Sequence, residues 1–219
     1  MKIVFALATL LSILASASAS LASPAPAYEG RRLFVSYCQL CHGPTGKGDG
    51  ALAQKMEITP ADLTTTVRSR SDTILRKIIT GEGGPTISGR VRHNMLSDAM
   101  PGWGEVFTGP QIEALIAYLR FLSTSNHDLM GNPDVGYKLY QQYCTVCHGE
   151  FGEGDGIMTK LMDIEPADHS NVIAMDPITN DELVTTIQQG RGHYMPAWDT
   201  ILTREEIEAL VSYIRLLSN

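Results

Sequence analysis

Cys38-Gln39-Leu40-Cys41-His42 and Cys144-Thr145-Val146-Cys147-His148 between them hold all four cysteines of the chain. Each is a Cys-x-x-Cys-His run, the attachment pattern of a c-type haem, in which the sulfurs bond the macrocycle and the adjoining imidazole can reach its iron. Other uses of the thiols fit less well. A four-Cys zinc site keeps its pairs about 15–20 residues apart, whereas 102 residues lie between Cys41 and Cys144. A redox dithiol calls for a βαβ context, and none is visible nearby. Two local disulfides would leave His42 and His148 without a role. The sequence therefore predicts two covalently bound haem c groups, each with its own iron.

Outward from these runs the chain repeats itself. Segment 30–38 (GRRLFVSYC) aligns with 136–144 (GYKLYQQYC) at an offset of 106 residues. The same offset carries Gly48-Asp49-Gly50 onto Gly154-Asp155-Gly156 and Pro60-Ala61-Asp62 onto Pro166-Ala167-Asp168. Asp72 to Gly81 matches Asp181 to Gly190 at offset 109, and Met100-Pro101-Gly102-Trp103 matches Met195-Pro196-Ala197-Trp198 at offset 95. That last offset also pairs Leu115, Tyr118 and Arg120 with Leu210, Tyr213 and Arg215. The chain is thus one module written twice, with domains expected over 28–124 and 134–219. Residues 125–133, polar and broken by Gly131 and Pro133, form the expected linker. The first repeat carries extra residues between Gly81 and Met100.

Each repeat predicts three main helices. The first, around Tyr28–Tyr37 or Asp134–Tyr143, delivers the cysteines. The second has an apolar face at Ile74, Ile78 and Ile79, or at Leu183, Val184 and Ile187, at helical spacing. Thr179 and Glu182 form a capping-box pattern at its start in the second repeat. The third opens on Thr108…Gln111 or Thr203…Glu206, the same signal. No period-2 strand pattern is present, so the expected fold class is all-α. Glycine loops 46–50 and 152–156 have neither the Gly-Lys-Ser/Thr ending nor the preceding strand of a phosphate loop, and are expected to be flexible turns past the haem edge.

At the N-terminus, Met1-Lys2 is followed by an apolar run from Ile3 to Leu14 and small residues through Ser23, with cleavage options ending at Ala17, Ala19 or Ala22. That plan predicts a secretory signal peptide over 1–22. Its apolar run is short of the ~20 residues needed to span a bilayer, and no later stretch is longer. The mature chain is expected to be soluble and periplasmic, with no transmembrane anchor after cleavage. An isoelectric point near 5.3 speaks against nucleic acid as a partner.

Both repeats resemble class I cytochromes c, and the match covers nearly all of the chain beyond its leader. Besides Cys-x-x-Cys-His, the resemblance rests on an early glycine with an aromatic four residues on, and on Leu-x-x-Tyr in the last helix. These are Gly30/Phe34 with Leu115/Tyr118, and Gly136/Tyr140 with Leu210/Tyr213. The resemblance implies two tandem class I cytochrome c domains, each built of about three main helices around a covalent haem. Cys38, Cys41 and His42 would hold the first haem, and Cys144, Cys147 and His148 the second. It further implies that a backbone carbonyl near the Pro60 or Pro166 turn receives the other ring N–H of each histidine, which sets its orientation and basicity.

Several residues could supply the second axial ligand: Met56, Met95, Met100 and His93 in the first repeat, and Met158, Met162, Met175, Met195, His169 and His193 in the second. Only Met100 and Met195 share a Met-Pro-x-Trp setting and the same distance to the last helix, and that setting resembles the family's ligand loop. Met100 and Met195 are accordingly the expected iron ligands opposite His42 and His148. An alternative alignment of 92–95 with 192–195 keeps Met95 and His93 open. Trp103 and Trp198 are expected in the core.

An iron held by His and Met has both positions filled by protein, and Met ligation raises its potential. The expected function is a periplasmic carrier of single electrons between respiratory redox partners, whether dehydrogenase, reductase or oxidase. Two other classes stay open. One is the cytochrome subunit of a larger dehydrogenase or reductase; the other is a two-haem peroxidase, which needs one iron with a free or releasable position. Two-haem thiosulfate dehydrogenases use a cysteine as iron ligand, and no cysteine is spare here. Residues 23–127 hold 11 Lys/Arg and 9 Asp/Glu, whereas 128–219 hold 5 and 15. Arg68, Arg70, Arg76, Lys77, Arg90 and Arg92 crowd one stretch, so a dipolar carrier with oppositely charged partners is a further expectation.

Overall fold

The computed structural model describes residues 25–82, 86–87, 90–91 and 100–218. The leader read at 1–22, and the alternative ligands His93 and Met95, lie outside the described residues. In the first repeat, Pro26 at the first helical position, Glu29 in the first turn and Arg31 and Arg32 in the last favour a helix by geometry and dipole alike. This helix, α1 (Pro26–Leu33), runs through a π-helical stretch (Phe34–Cys38) into α2 (Gln39–His42). Then follow α3 (Ala51–Lys55), α4 (Leu63–Thr66), α5 (Asp72–Thr80) and α6 (Gly109–Thr124). The second repeat contains α7 (Pro133–Tyr143), α8 (Thr145–His148), α9 (Ile157–Met162), α10 (Val172–Met175), α11 (Asn180–Gln189) and α12 (Arg204–Leu217). Here the helix reaches Cys144 without a π turn.

The extra residues of the first repeat hold the one strand pair among the described residues; an isolated antiparallel bridge joins Arg191 to Met195 in the second repeat. Strands β1 (Thr86–Ile87) and β2 (Arg90–Val91) pair antiparallel, Thr86 opposite Val91 and Ile87 opposite Arg90. A ladder of two residues per strand needs no alternating pattern, which is why no period-2 signal announces it.

Glycine decides how the helices cross. A Cβ on Gly30 would stand 1.8 Å from the Ala114 carbonyl oxygen, and one on Gly136 1.9 Å from that of Ala209. The helices therefore meet backbone to backbone, α1 on α6 and α7 on α12. Beside each crossing an aromatic pair packs, Phe34 on Tyr118 with centroids 5.3 Å apart and Tyr140 on Tyr213 at 5.2 Å. In α11 the expected apolar face is the buried one: Leu183, Val184 and Ile187. In α5 the helix is rotated from the expected face. Leu75 and Ile79 are buried, while Ile74 is 43% exposed. The Thr179–Glu182 and Thr203–Glu206 capping boxes both form.

The last helices also pin the loops before them. Arg120 donates to the Val67 carbonyl at 2.8 Å and to Asp72. Arg215, 2% exposed, donates to the Met175 carbonyl at 2.9 Å, to Asn180 Oδ1 at 2.8 Å and to the Ile178 carbonyl. Burial lowers the Arg215 pKa from the ordinary guanidinium value, a cost these acceptors offset. Arg215→Met would strand buried carbonyls, each costing about 1–3 kcal/mol. We expect a loss of about 2–3 kcal/mol, read as a lower denaturation midpoint at unchanged slope.

Between the repeats, Tyr28 donates to Asp134 at 2.9 Å and Arg31 pairs with the same carboxylate at 3.5 Å. The Tyr28 ring stacks on Tyr137 at 5.0 Å and meets Tyr213 edge-on at 5.3 Å. The 125–133 stretch is fastened to the second repeat: His127 Nε2–H donates to the Asp176 carbonyl at 2.8 Å, and the Gly131 N–H to Ser212 Oγ at 2.8 Å.

Candidate haem sites

Both Cys-x-x-Cys-His runs end in a short helix whose histidine is fixed from outside it. His42 Nδ1 lies 3.3 Å from the Ala61 carbonyl, and His148 Nδ1 lies 3.1 Å from that of Ala167. A carbonyl can only accept, so Nδ1 carries the proton and Nε2 keeps a lone pair. That is the tautomer a metal-binding imidazole needs, with its orientation set by the second bond. The acceptors follow Pro60 and Pro166 directly. Burial lowers the pKa of both histidines and favours their neutral form.

The glycine loops close over the same turns. Gly48 N–H donates to the His42 carbonyl at 2.8 Å and Gly50 N–H to that of Cys41 at 3.1 Å. Gly154 and Gly156 do the same for His148 and Cys147, at 2.8 and 3.1 Å. The loops turn and bend here as expected, and they also satisfy the carbonyls that a short helix leaves unpaired.

In the first repeat a cleft is lined by Cys38, His42, Met100, Trp103 and apolar side chains including Val67, Leu75 and Ile79. Its apolar wall, with the Cys38 thiol and the His42 imidazole set into it, suits an apolar cofactor. The chemistry of the thiols suits a haem as well. Burial pushes both the Cys38 and the Cys144 thiol up to about 12, which opposes the thiolate that zinc binding or disulfide exchange requires. A thioether has no charge to lose. None of the four cysteines is in a disulfide. Among the described residues no three His, Cys, Asp or Glu side chains come together as a metal site.

The cleft brings Met100 to the same space as His42 and Cys38. Met195 is half-buried against the hydrophobic core, and its carbonyl accepts from Arg191 N–H at 3.0 Å. The Met-Pro-x-Trp loops are anchored alike, Trp103 N–H donating to the Ile79 carbonyl at 2.8 Å and Trp198 N–H to that of Ile187 at 3.1 Å. Both indoles pack partly buried, Trp103 on Tyr37 and Trp198 on Tyr143. Met56 and Met162 are exposed, and Met158 half-buried on α9, whereas Met175 is buried in the core. His193 is exposed beside Tyr194. His169 stands against His148 itself, the rings parallel with centroids 4.2 Å apart, so it is on the wrong side to oppose His148. Burial pushes its pKa down to about 3.

Part of the basic stretch is used internally. Arg68 donates to the Ser123 carbonyl, Arg76 pairs with Glu113, and Arg70 lines the cleft. The side chains of Arg90 and Arg92 lie outside the described residues. Sequence reasoning places Arg70 only in the basic stretch, and gives no role to Arg120 and Arg215 or to the contact of His169 with Tyr140; the alignment of the two arginines is the signal that marks them.

Residues 25–119 and 131–214 match the family described as cytochrome C oxidase, cbb3-type, subunit III. The chain is 28% identical over 203 residues to the cbb3-type cytochrome c oxidase subunit FixP of Azorhizobium caulinodans, covering 86% of this chain and 59% of that protein. It is 28% identical over 195 residues to subunit CcoP of Azospirillum brasilense, covering 86% and 61%. It is also 33% identical over 85 residues to the dehydrogenase subunit of the quinone alcohol dehydrogenase of Acetobacter aceti, covering 37% and 10%. The chain thus spans about six-tenths of the length of the oxidase subunits it matches. Among the described residues no helix is long and apolar enough to cross a membrane.

Proposed function

Because this chain belongs to the family described as cytochrome C oxidase, cbb3-type, subunit III, we propose that it is a periplasmic carrier that takes up and releases single electrons through two haems. The family is one of dihaem c-type cytochromes that transfer electrons, and its fold is two tandem class I cytochrome c domains. The observation that carries the reading is the duplicated histidine geometry: each Nδ1–H is held by a carbonyl 19 residues on, with Nε2 left for iron.

On this reading Cys38 and Cys41 hold the first haem as thioethers, and Cys144 and Cys147 the second. When bound, haem supplies reversible one-electron iron chemistry. The residues of the chain do the rest. His42 and His148 present a lone pair at Nε2, Met100 and Met195 would supply the second protein ligand to each iron, and Trp103, Val67, Leu75 and Ile79 keep water from the first cleft. Two protein ligands on each iron would exclude substrate and leave electron transfer. The relatives' names, oxidase subunits and a dehydrogenase subunit, support an oxidase and a dehydrogenase as redox partners.

The test is haem content. The exported chain should carry two haems that survive denaturing gels and acid-acetone, and Cys144→Ser with Cys147→Ser should leave one. Recovery of the unmutated chain with a haem that acid-acetone extracts would refute covalent attachment at that repeat.

A further inference from the structure

On matched backbones, one pair of interior side chains is hydrocarbon in the first repeat and polar in the second. Leu63 and His169 stand at equivalent positions, their N–H groups donating to the Gly46 carbonyl at 2.7 Å and the Gly152 carbonyl at 2.6 Å. Phe34 and Tyr140 are also equivalent, at 1% and 0% exposure. The first repeat therefore has hydrocarbon at both places. In the second, the Tyr140 hydroxyl and His169 Nδ1 share a hydrogen bond of 3.1 Å in the interior. His169 lies parallel to His148, 16° between the ring planes. Gly152 backs the pair closely, since a Cβ there would come within 2.9 Å of His169 Cβ and 3.3 Å of the Tyr140 oxygen.

A buried polar pair is worth no more to stability than hydrocarbon of the same shape, and is costly once half-satisfied. This one touches the residue read as iron ligand and has no counterpart behind His42. We propose that Tyr140 and His169 are positioning residues that lower the reduction potential of the second haem below that of the first, an inference that rests on His148 being its ligand. Oxidation leaves one more positive charge on the iron, and hydrocarbon opposes that charge while a hydrogen-bonded polar pair polarises towards it. His148 is gripped at Nδ1 by Ala167 and on its face by His169, so the pair acts on the iron through a fixed ring. An electron entering at the second repeat then passes downhill to the first, the second haem being oxidised and the first reduced by the same single electron.

The experiment is a spectroelectrochemical titration of the full chain with both haems bound. Tyr140→Phe with His169→Leu, which installs the first repeat's residues, should move the lower-potential component upward. The expected change is about tenfold in its redox equilibrium, ~59 mV for a one-electron couple, with the other component in place. The Cys38→Ser, Cys41→Ser chain, which keeps only the second haem, assigns the component. The reciprocal Phe34→Tyr with Leu63→His should lower the first haem's potential. Tyr140→Phe alone removes one hydroxyl, and should shift the potential the same way by less if the double variant does not fold. Both potentials unchanged with both haems retained overturns the inference, as does a changed denaturation midpoint with no shift in potential. A chain that lacks haem at Cys144 and Cys147 would instead sink the functional reading beneath it.

Discussion

Gly136→Ala should unfold the second repeat under conditions in which the unmutated chain is stable. The added methyl would lie 1.9 Å from the Ala209 carbonyl oxygen and 2.9 Å from Tyr213 Cβ, roughly half and three-quarters of the ~3.5–4.0 Å at which such atoms pack favourably. The first neighbour is helix backbone, which cannot turn aside as a flexible side chain would. Relief requires α7 to lift from α12 and to carry Tyr140 off Tyr213. Overpacking of this kind costs about 3 kcal/mol or more, a large share of the stability of a small domain. Gly30→Ala should do the same to the first repeat, where the clash with Ala114 is as close. Gly109 supplies the control, because a Cβ there meets nothing within 4 Å. Denaturation of the haem-loaded chains, followed by helical circular dichroism, compares the three. Equal midpoints for Gly136→Ala and Gly109→Ala would mean that the helices do not cross as described.

Met195→Ala should open the second iron to small ligands. On the proposed ligation the oxidised chain has two sulfur-to-iron charge-transfer contributions at the red edge of the visible spectrum, and this substitution removes one. The reduced form should then bind carbon monoxide at one haem, and that haem's potential should fall, because Met ligation raises it. Met100→Ala should have the same consequences at the first haem, since Met100 lines one cleft with His42. Met95→Ala separates the alternatives. If it removes the charge-transfer contribution of the first haem while Met100→Ala leaves it, Met95 is the ligand and the alignment of the repeats shifts there. Carbon monoxide uptake by the unmutated chain would show that one iron keeps no sixth protein ligand.

Chemistry spelled by fixed short spacing was legible in the sequence, and chemistry assembled across loops was not. The Thr203–Glu206 cap and the Gly30/Phe34 and Gly136/Tyr140 pairs beside the helix crossings are each carried by residues about a turn apart, or by a repeat that supplies its own second copy. The face of α5 was misread because Ile74, Leu75, Ile78 and Ile79 are apolar on more than one side of a nine-residue helix. Its position beneath α6, set by tertiary contacts, chooses Leu75 over Ile74. His169 sits just past a Pro-Ala-Asp turn where no periodicity says which way a side chain points. It is among the candidate iron ligands of the sequence, but its contacts set it against the ring of His148 and the hydroxyl of Tyr140. The basic stretch read as a surface field loses Arg68 to the Ser123 carbonyl and Arg76 to Glu113, pairings with α6 or its end that charge counts cannot anticipate.

The contact between the repeats obeys a near-twofold symmetry. Tyr28 and Asp134 are equivalent positions, 106 residues apart, and they bond to each other. Arg31 and Tyr137 are equivalent at the same offset; Arg31 reaches Asp134 while Tyr137 reaches Tyr28. Each patch therefore meets its own copy, the isologous pattern of a homodimer. Two identical chains meeting this way must set like against like, tyrosine on tyrosine or carboxylate on carboxylate. Joined in one chain, the halves are released from self-complementarity. Tyr28 can then face an acceptor and Arg31 an anion, and a pairing forbidden to a homodimer becomes the seam that holds the two halves in register.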